Sequence, residues 1–147
     1  MNLNIKYPKP NFTLKEEDGR QYIFDSFRKK YIILTPEEWV RQNLLQALVQ
    51  NYLYPAGLIA VEKMLIINQL KRRYDAVVYD PLRNPWMLIE CKAASVELDE
   101  DVLKQTLHYY RKLQCPYFLI SNGNLTFIAA IKEQSFSWLD SVPPYNF

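Results

Sequence analysis

Glycine is scarce in this chain, with 3 residues among 147 against 9 prolines. Loops that cradle phosphates are built on glycine, and neither GxGxxG nor GxxxxGK[ST] occurs, so nucleotide folds of those two kinds are excluded. Cysteine is rarer still. Cys91 and Cys115 lie 24 positions apart with no CxxC and no histidine at zinc spacing, which reads as two reduced, buried thiols. His108 is the sole histidine, which rules out a His-rich metal centre. No apolar run approaches the roughly 20 residues that span a bilayer, and the start MNLNIKYPKPNFTLKEED carries no apolar targeting segment. A soluble, cytoplasmic protein with no membrane partner is expected. A large charge excess is also missing: 18 Lys and Arg against 16 Asp and Glu give +2, so any contact with nucleic acid must come from local patches.

The hydrophobic fraction of 49%, with 14% aromatic, is ample for a core in a chain of one domain's length. There is no internal repeat and no interior linker. Residues 1–21, with Pro8, Pro10 and the charged KEEDG, read as an N-terminal arm; 22–140 as a single domain; and 141–147, with two adjacent prolines, as an irregular tail. Tyr22 to Leu34 is a short aromatic-rich segment interrupted by Arg28, Lys29 and Lys30.

A helix begins at TPEEW. Thr35 is an N-cap, Pro36 takes the favoured first position and Glu38 falls where a capping box places an acid. Val40, Leu44, Ala47 and Leu48 then repeat at helical spacing to about Asn51. Leu58–Ile67 and Arg73–Tyr79 read as a hairpin across NQLK, and Trp86–Lys92 as a third strand. A helix over about Glu97–Leu113 stops at Cys115-Pro116, strands Tyr117–Ser121 and Leu125–Ile131 flank Asn122-Gly123-Asn124, and a short helix is predicted near Ser135–Leu139. The resulting α-β-β-β-α-β-β order predicts an α/β fold, a central mixed sheet flanked by helices.

The chemically informative stretch is RRYDAVVYD followed by PWMLIECKAAS. Strand alternation puts Glu90 and Lys92 on one side and Cys91 on the other, and antiparallel pairing brings the Asp75 carboxylate beside that of Glu90. Converging carboxylates repel unless a cation lies between them, and hard oxygen ligands suit Mg²⁺ or Mn²⁺. An ammonium at Lys92 could then orient water and stabilise charge on a phosphate. The same spacing also fits a cross-strand ion pair with no catalytic role. On the following helix, Gln105 and Tyr109 stand one turn apart on the flank of the Leu103, Thr106, Leu107, Tyr110, Leu113 stripe, as rim groups of a site or as a polar surface pair. On the first helix, a step of 100° per residue turns Glu37 toward the apolar face, where its carboxylate could reach a metal; the helix macrodipole would also favour an acid there.

Asp75, fourteen residues, Glu90-Cys91-Lys92, and then Gln105-Thr106-Leu107-His108-Tyr109 together resemble the PD-(D/E)XK nuclease superfamily. More narrowly, the chain is similar to the N-terminal domain of type I restriction enzyme R subunits, with RKKYIILTPEEWVRQ, Glu62-Lys63 and SNGN adding to the likeness over about residues 22–131. The resemblance implies a restriction-endonuclease-like core of α-β-β-β-α-β order and a metal-dependent endonuclease acting on DNA, with a non-catalytic binding module on the same fold as the alternative. It assigns metal-ligand roles to Asp75 and Glu90, the catalytic lysine role to Lys92, and the QxxxY element to Gln105 and Tyr109, and it matches both Glu37 and Glu38. Mg²⁺ or Mn²⁺ is the implied cofactor and DNA the implied partner, with a homodimer or partner subunits supplying target recognition. No counterpart of motor or recognition domains is covered, so ATP dependence and sequence specificity do not carry over. Lys71, Arg72, Arg73, Lys104, Arg111 and Lys112 are candidates for phosphate contact or for plain solvation.

Overall fold

The computed structural model describes residues 2–67, 69–110, 115–133 and 135–147, without the side chains of Leu70, Val102 and Tyr109. Helix α1 (Pro36–Gln50) starts as its cap predicts: Thr35 is extended and its hydroxyl accepts from the Glu38 amide at 3.0 Å. Its buried face carries Val40, Leu44, Ala47 and Leu48. A single 3-10 turn, Ala56–Leu58, leads to β4 (Ile59–Ile67), which pairs antiparallel with β5 (Leu70–Tyr79). Next come β6 (Pro85–Cys91) and α2 (Glu100–Tyr110), followed by β7 (Tyr117–Ser121) and β8 (Thr126–Lys132). The strands lie in the order β4-β5-β6-β7-β8, extended by β9 (Ser135–Trp138), and all neighbours are antiparallel except β6 and β7. Parallel neighbours need a crossover, and α2 supplies it.

Two cores follow from strand alternation. Met87, Ile89 and Cys91 of β6 face α1 with Ala76 and Val78, whereas Leu88 joins Val77, Phe118 and Ile120 beneath Leu103, Leu107 and Tyr110 of α2. The molecule is therefore the expected α/β arrangement, a mixed sheet of six strands with helices over it.

Three expectations need correction. The segment read as an arm is built into the fold: Leu3 and Ile5 are buried in the α1-side core, and β1 (Leu14–Glu17), β2 (Arg20–Asp25) and β3 (Lys30–Ile33) make a separate antiparallel sheet. Asp18 and Gly19, both at positive φ, form the two-residue turn between β1 and β2, a conformation that Asp-Gly adopts readily. The tail is irregular as its prolines require, and it packs, with Tyr145 against Tyr54 and Trp86 and its hydroxyl donating to the Tyr79 carbonyl at 2.7 Å. Ser135–Trp138 is a strand and not a helix, because its serines are exposed and its aromatics half-buried in strict alternation. Helix α2 begins at Glu100, later than expected, where Glu100 and Asp101 put acidic charge in the first turn; the end expected at Leu113 lies outside the described residues.

Candidate active site

Asp75 sits where the β4–β5 ladder is interrupted. Val61 pairs with Ala76 and Lys63 with Tyr74, and between them Glu62 adopts a left-handed backbone at φ 52°. Such a conformation costs a non-glycine residue on the order of 1–2 kcal/mol and persists only where its surroundings enforce it. Glu62 is enforced by two guanidiniums, Arg28 at 3.2 Å and Arg41 at 3.8 Å. Across the break, Asp75 Oδ2 accepts from the Cys91 amide at 2.6 Å and Oδ1 lies 3.6 Å from Arg41 Nη1. Burial raises the Asp75 pKa, and the Glu90 charge adds to it, against the Cys91 hydrogen bond and the cations Arg41 and Lys92.

Glu90 turns to the other face of the sheet. Its Oε1 accepts from the Tyr110 hydroxyl and from Arg72, and its side chain is 10% exposed. The two carboxylates are thus electrostatic neighbours, but each has its own anchor: the α1 side through Arg41 for Asp75, the α2 side through Tyr110 for Glu90. Burial, and then the Glu90 charge, push the Tyr110 pKa upward, so its hydroxyl stays a donor.

Lys92 is the first residue beyond β6, fixed by its amide donating to the Ser121 carbonyl at 2.8 Å. Its ammonium forms no salt bridge among the described residues, yet its charge acts on both Asp75 and Glu37. The ion-pair alternative is therefore met by different cations than expected, Arg41 and Arg72 in place of Lys92.

The two helix acids exchange the places expected of them. Glu37 is exposed, and Glu38 is buried at 3% exposure. Glu38 does not reach back as a capping-box side chain; it accepts from Arg28 at 2.7 Å, from Arg41 at 2.5 and 2.9 Å, and from Gln42 at 3.0 Å. A helical-wheel argument treats a carboxylate as unwelcome inside, whereas here two guanidiniums make its burial favourable. Glu37 faces an open cleft of about 640 Å³ whose walls also include Lys30, Arg41, Glu62 and Ala93. Although the residue is exposed, slight desolvation at the cleft wall and the Asp75 charge raise its pKa, against Lys92 and Arg41.

Gln105 is exposed on α2, and no hydrogen bond joins it to Asp75, Glu90 or Lys92; the Tyr109 side chain lies outside the described groups. The tyrosine that meets Glu90 is Tyr110, read from the sequence only as a core residue, although a buried tyrosine hydroxyl usually finds a hydrogen-bond partner. Arg28 and Arg41 lie in the RKKYIILTPEEWVRQ stretch that adds to the family likeness, but no role was assigned to either from the sequence. Among the basic candidates, Arg72 is bound to Glu90, Lys104 pairs with Glu100 at 3.2 Å, Lys71 and Arg73 are exposed, and Arg111 and Lys112 lie outside the described residues.

Among the described residues no cluster of three or more His, Cys, Asp or Glu side chains is arranged for a metal. Mg²⁺ asks for less, one or two carboxylates with water and phosphate completing its shell. Asp75 Oδ1, with only a loose ion pair, and Glu90 Oε2, with no described partner, are the oxygens that fit that need.

A family profile, that of the type I restriction enzyme R protein N terminus (HSDR_N), matches residues 36–143. The chain belongs to that family. The match begins at the first residue of α1 and takes in every candidate residue, so the β1–β3 sheet lies outside the HSDR_N region. Membership relates the chain to restriction systems. No curated protein matches it. Among the described residues no helix is long and apolar enough to cross a membrane.

Proposed function

We propose that the chain is a PD-(D/E)XK-type nuclease domain that hydrolyses DNA phosphodiester bonds with Mg²⁺ or Mn²⁺, within a restriction or DNA-processing system. The observation that carries the reading is the link from the cleft to Asp75: Arg41, which lines the cleft with Glu37, lies 3.6 Å from Asp75 Oδ1, and the Lys92 charge acts on both Asp75 and Glu37. Asp75 and Glu90 would hold the ion, which supplies Lewis acidity and a more acidic bound water. Lys92, unpaired with any described carboxylate, holds fixed positive charge where the phosphate oxygens gain negative charge. Glu37, with its raised pKa, is a carboxylate able to exchange a proton with water nearer neutral pH than an ordinary glutamate. Arg41 aims Asp75 and Tyr110 aims Glu90, so both ligands are pre-positioned. Family membership adds DNA and partner subunits as the expected company.

The test is cleavage of plasmid, linear duplex and single-stranded DNA in Mg²⁺ and in Mn²⁺. Lys92→Ala should lower the rate by about a hundredfold or more, the scale of removing one preorganised charge, while DNA affinity in Ca²⁺ changes little. Cleavage at equal rates by the wild type and Lys92→Ala contradicts the proposal. Binding without cleavage favours the second reading, a non-catalytic binding module, which has in its support that Arg41 and Arg72 already neutralise both acids.

A further inference from the structure

On the opposite flank of the first turns of α1 lies a second cavity, of about 260 Å³. Its walls include Tyr7, Trp39, Asn43, Ala94, Gly123 and Asn124, and none of its lining residues is charged. Glu37, Glu38 and Arg41 line the cleft whereas Trp39 and Asn43 line the cavity, as a step of 100° per residue requires. Ala93 belongs to the cleft and Ala94 to the cavity. Lys92 is therefore two residues from the cavity wall, at most about 7 Å of chain. A ligand reaching both need be no longer than one nucleotide.

We propose that this cavity receives one unpaired nucleobase of the DNA strand whose phosphate lies at Lys92 and Asp75, stacked against Trp39; the assignment rests on the nuclease reading given above. Trp39 is 39% exposed, although it is a large aromatic braced edge-on by Phe12 at 5.5 Å. Pockets for drug-sized ligands run from about 300 to 1,000 Å³, so this one suits a single heterocycle. An uncharged wall offers nothing to a phosphate or carboxylate, and the charges lie next door. The amides supply edge recognition of the kind that pairs with bases. Asn43 Nδ2 donates to the Trp39 carbonyl at 2.8 Å, which leaves its Oδ1 for a ligand. Asn122 donates to the Val96 carbonyl at 2.9 Å and accepts from the amides of Asn124 and Leu125 at 3.0 and 2.7 Å, so it fixes the loop that presents Asn124. Gly123, at φ 89°, lets that loop close on α1: a Cβ there would lie 3.3 Å from Val40 Cγ2.

The test is binding of a fluorescein-labelled, mixed-sequence single strand to the full chain in Ca²⁺, followed by anisotropy and by intrinsic tryptophan fluorescence. Base stacking on an aromatic side chain predicts that Trp39→Ala binds about 5- to 150-fold more weakly. Trp39→Phe should retain most of the affinity and lose the fluorescence quenching, because Trp86 is buried and Trp138 lies on β9; this variant also keeps the test readable if the alanine variant does not fold. An abasic strand should bind wild type and Trp39→Ala alike. Equal binding of the mixed strand by wild type and Trp39→Ala, equal loss on the abasic strand, or no binding by the wild type overturns the proposal. Cleavage reads the other claim separately: a Trp39 effect on binding with no dependence of cleavage on Lys92 removes the nuclease reading and leaves the base pocket, and the reverse result removes only the pocket.

Discussion

Asp75 and Glu90 are alike in formal charge and unlike in what holds them. Ionised Asp75 is opposed by burial first and by Glu90 second, so its pKa is raised and its ionisation subtracts stability as pH rises through that value. Asp75→Asn keeps an acceptor for the Cys91 amide and removes the repelling charge, so its loss of stability in urea unfolding should stay within about 1 kcal/mol. Glu90→Ala takes the acceptor from the buried Tyr110 hydroxyl and from Arg72, and should lose about 1–3 kcal/mol. Equal losses in the two variants would mean that Asp75 belongs to the same structural network as Glu90. The end position of Lys92 was legible from the strand pattern; that Asp75 and Glu90 turn to opposite faces, each with its own anchor, was not. The exchange of Glu37 and Glu38 was not, because the partner that decides it, Arg28, comes from a segment with no helical or strand period linking it to α1.

At the scale of elements, Arg28 and Arg41 join three pieces of the fold. Arg28, in the turn after β2, binds the buried Asp25 beside it, Glu38 on α1 and Glu62 on β4; Arg41 binds Glu38, Glu62 and Asp75. This network fastens the β1–β3 sheet to α1 and holds the left-handed Glu62 opposite Asp75. Burial works against Glu38, but hydrogen bonds from Arg41 and Arg28 outweigh it and hold its pKa at about 2, below the ordinary 4.5. A depressed carboxylate stabilises above its unfolded pKa and loses that contribution as pH falls through the folded value. Glu38→Ala should therefore lower stability on the order of 3 kcal/mol at neutral pH, and the wild-type advantage should shrink between about pH 4.5 and 2 in urea midpoints. A constant advantage across that range would assign Glu38 a packing role only. The elements with one dominant period, α1 and β4 to β8, were legible from the sequence. The β1–β3 sheet and β9 were not, since their strands are of four to six residues and largely exposed, and an Asp-Gly turn and a Ser-Phe-Ser-Trp alternation are short signals beside a charged run.

For the whole molecule, the two-faced sheet is what gives the site its form. β6 carries Met87, Ile89 and Cys91 to α1 and Leu88 and Glu90 to α2, so Asp75, midway along β5, and Glu90, near the end of β6, draw their supports from opposite layers. The supports are the Cys91 amide and Arg41 for Asp75 and Tyr110 and Arg72 for Glu90, and the proposed ion would draw on Glu90 Oε2 and on Asp75 Oδ1, whose ion pair with Arg41 is loose. Calorimetric titration of Mn²⁺ into the wild type and into Asp75→Asn measures this most directly. One binding site in the wild type, lost in Asp75→Asn with the fold intact by circular dichroism, is the predicted result; no heat of binding in the wild type, or the same isotherm in both proteins, would contradict a metal-dependent site at Asp75 and Glu90.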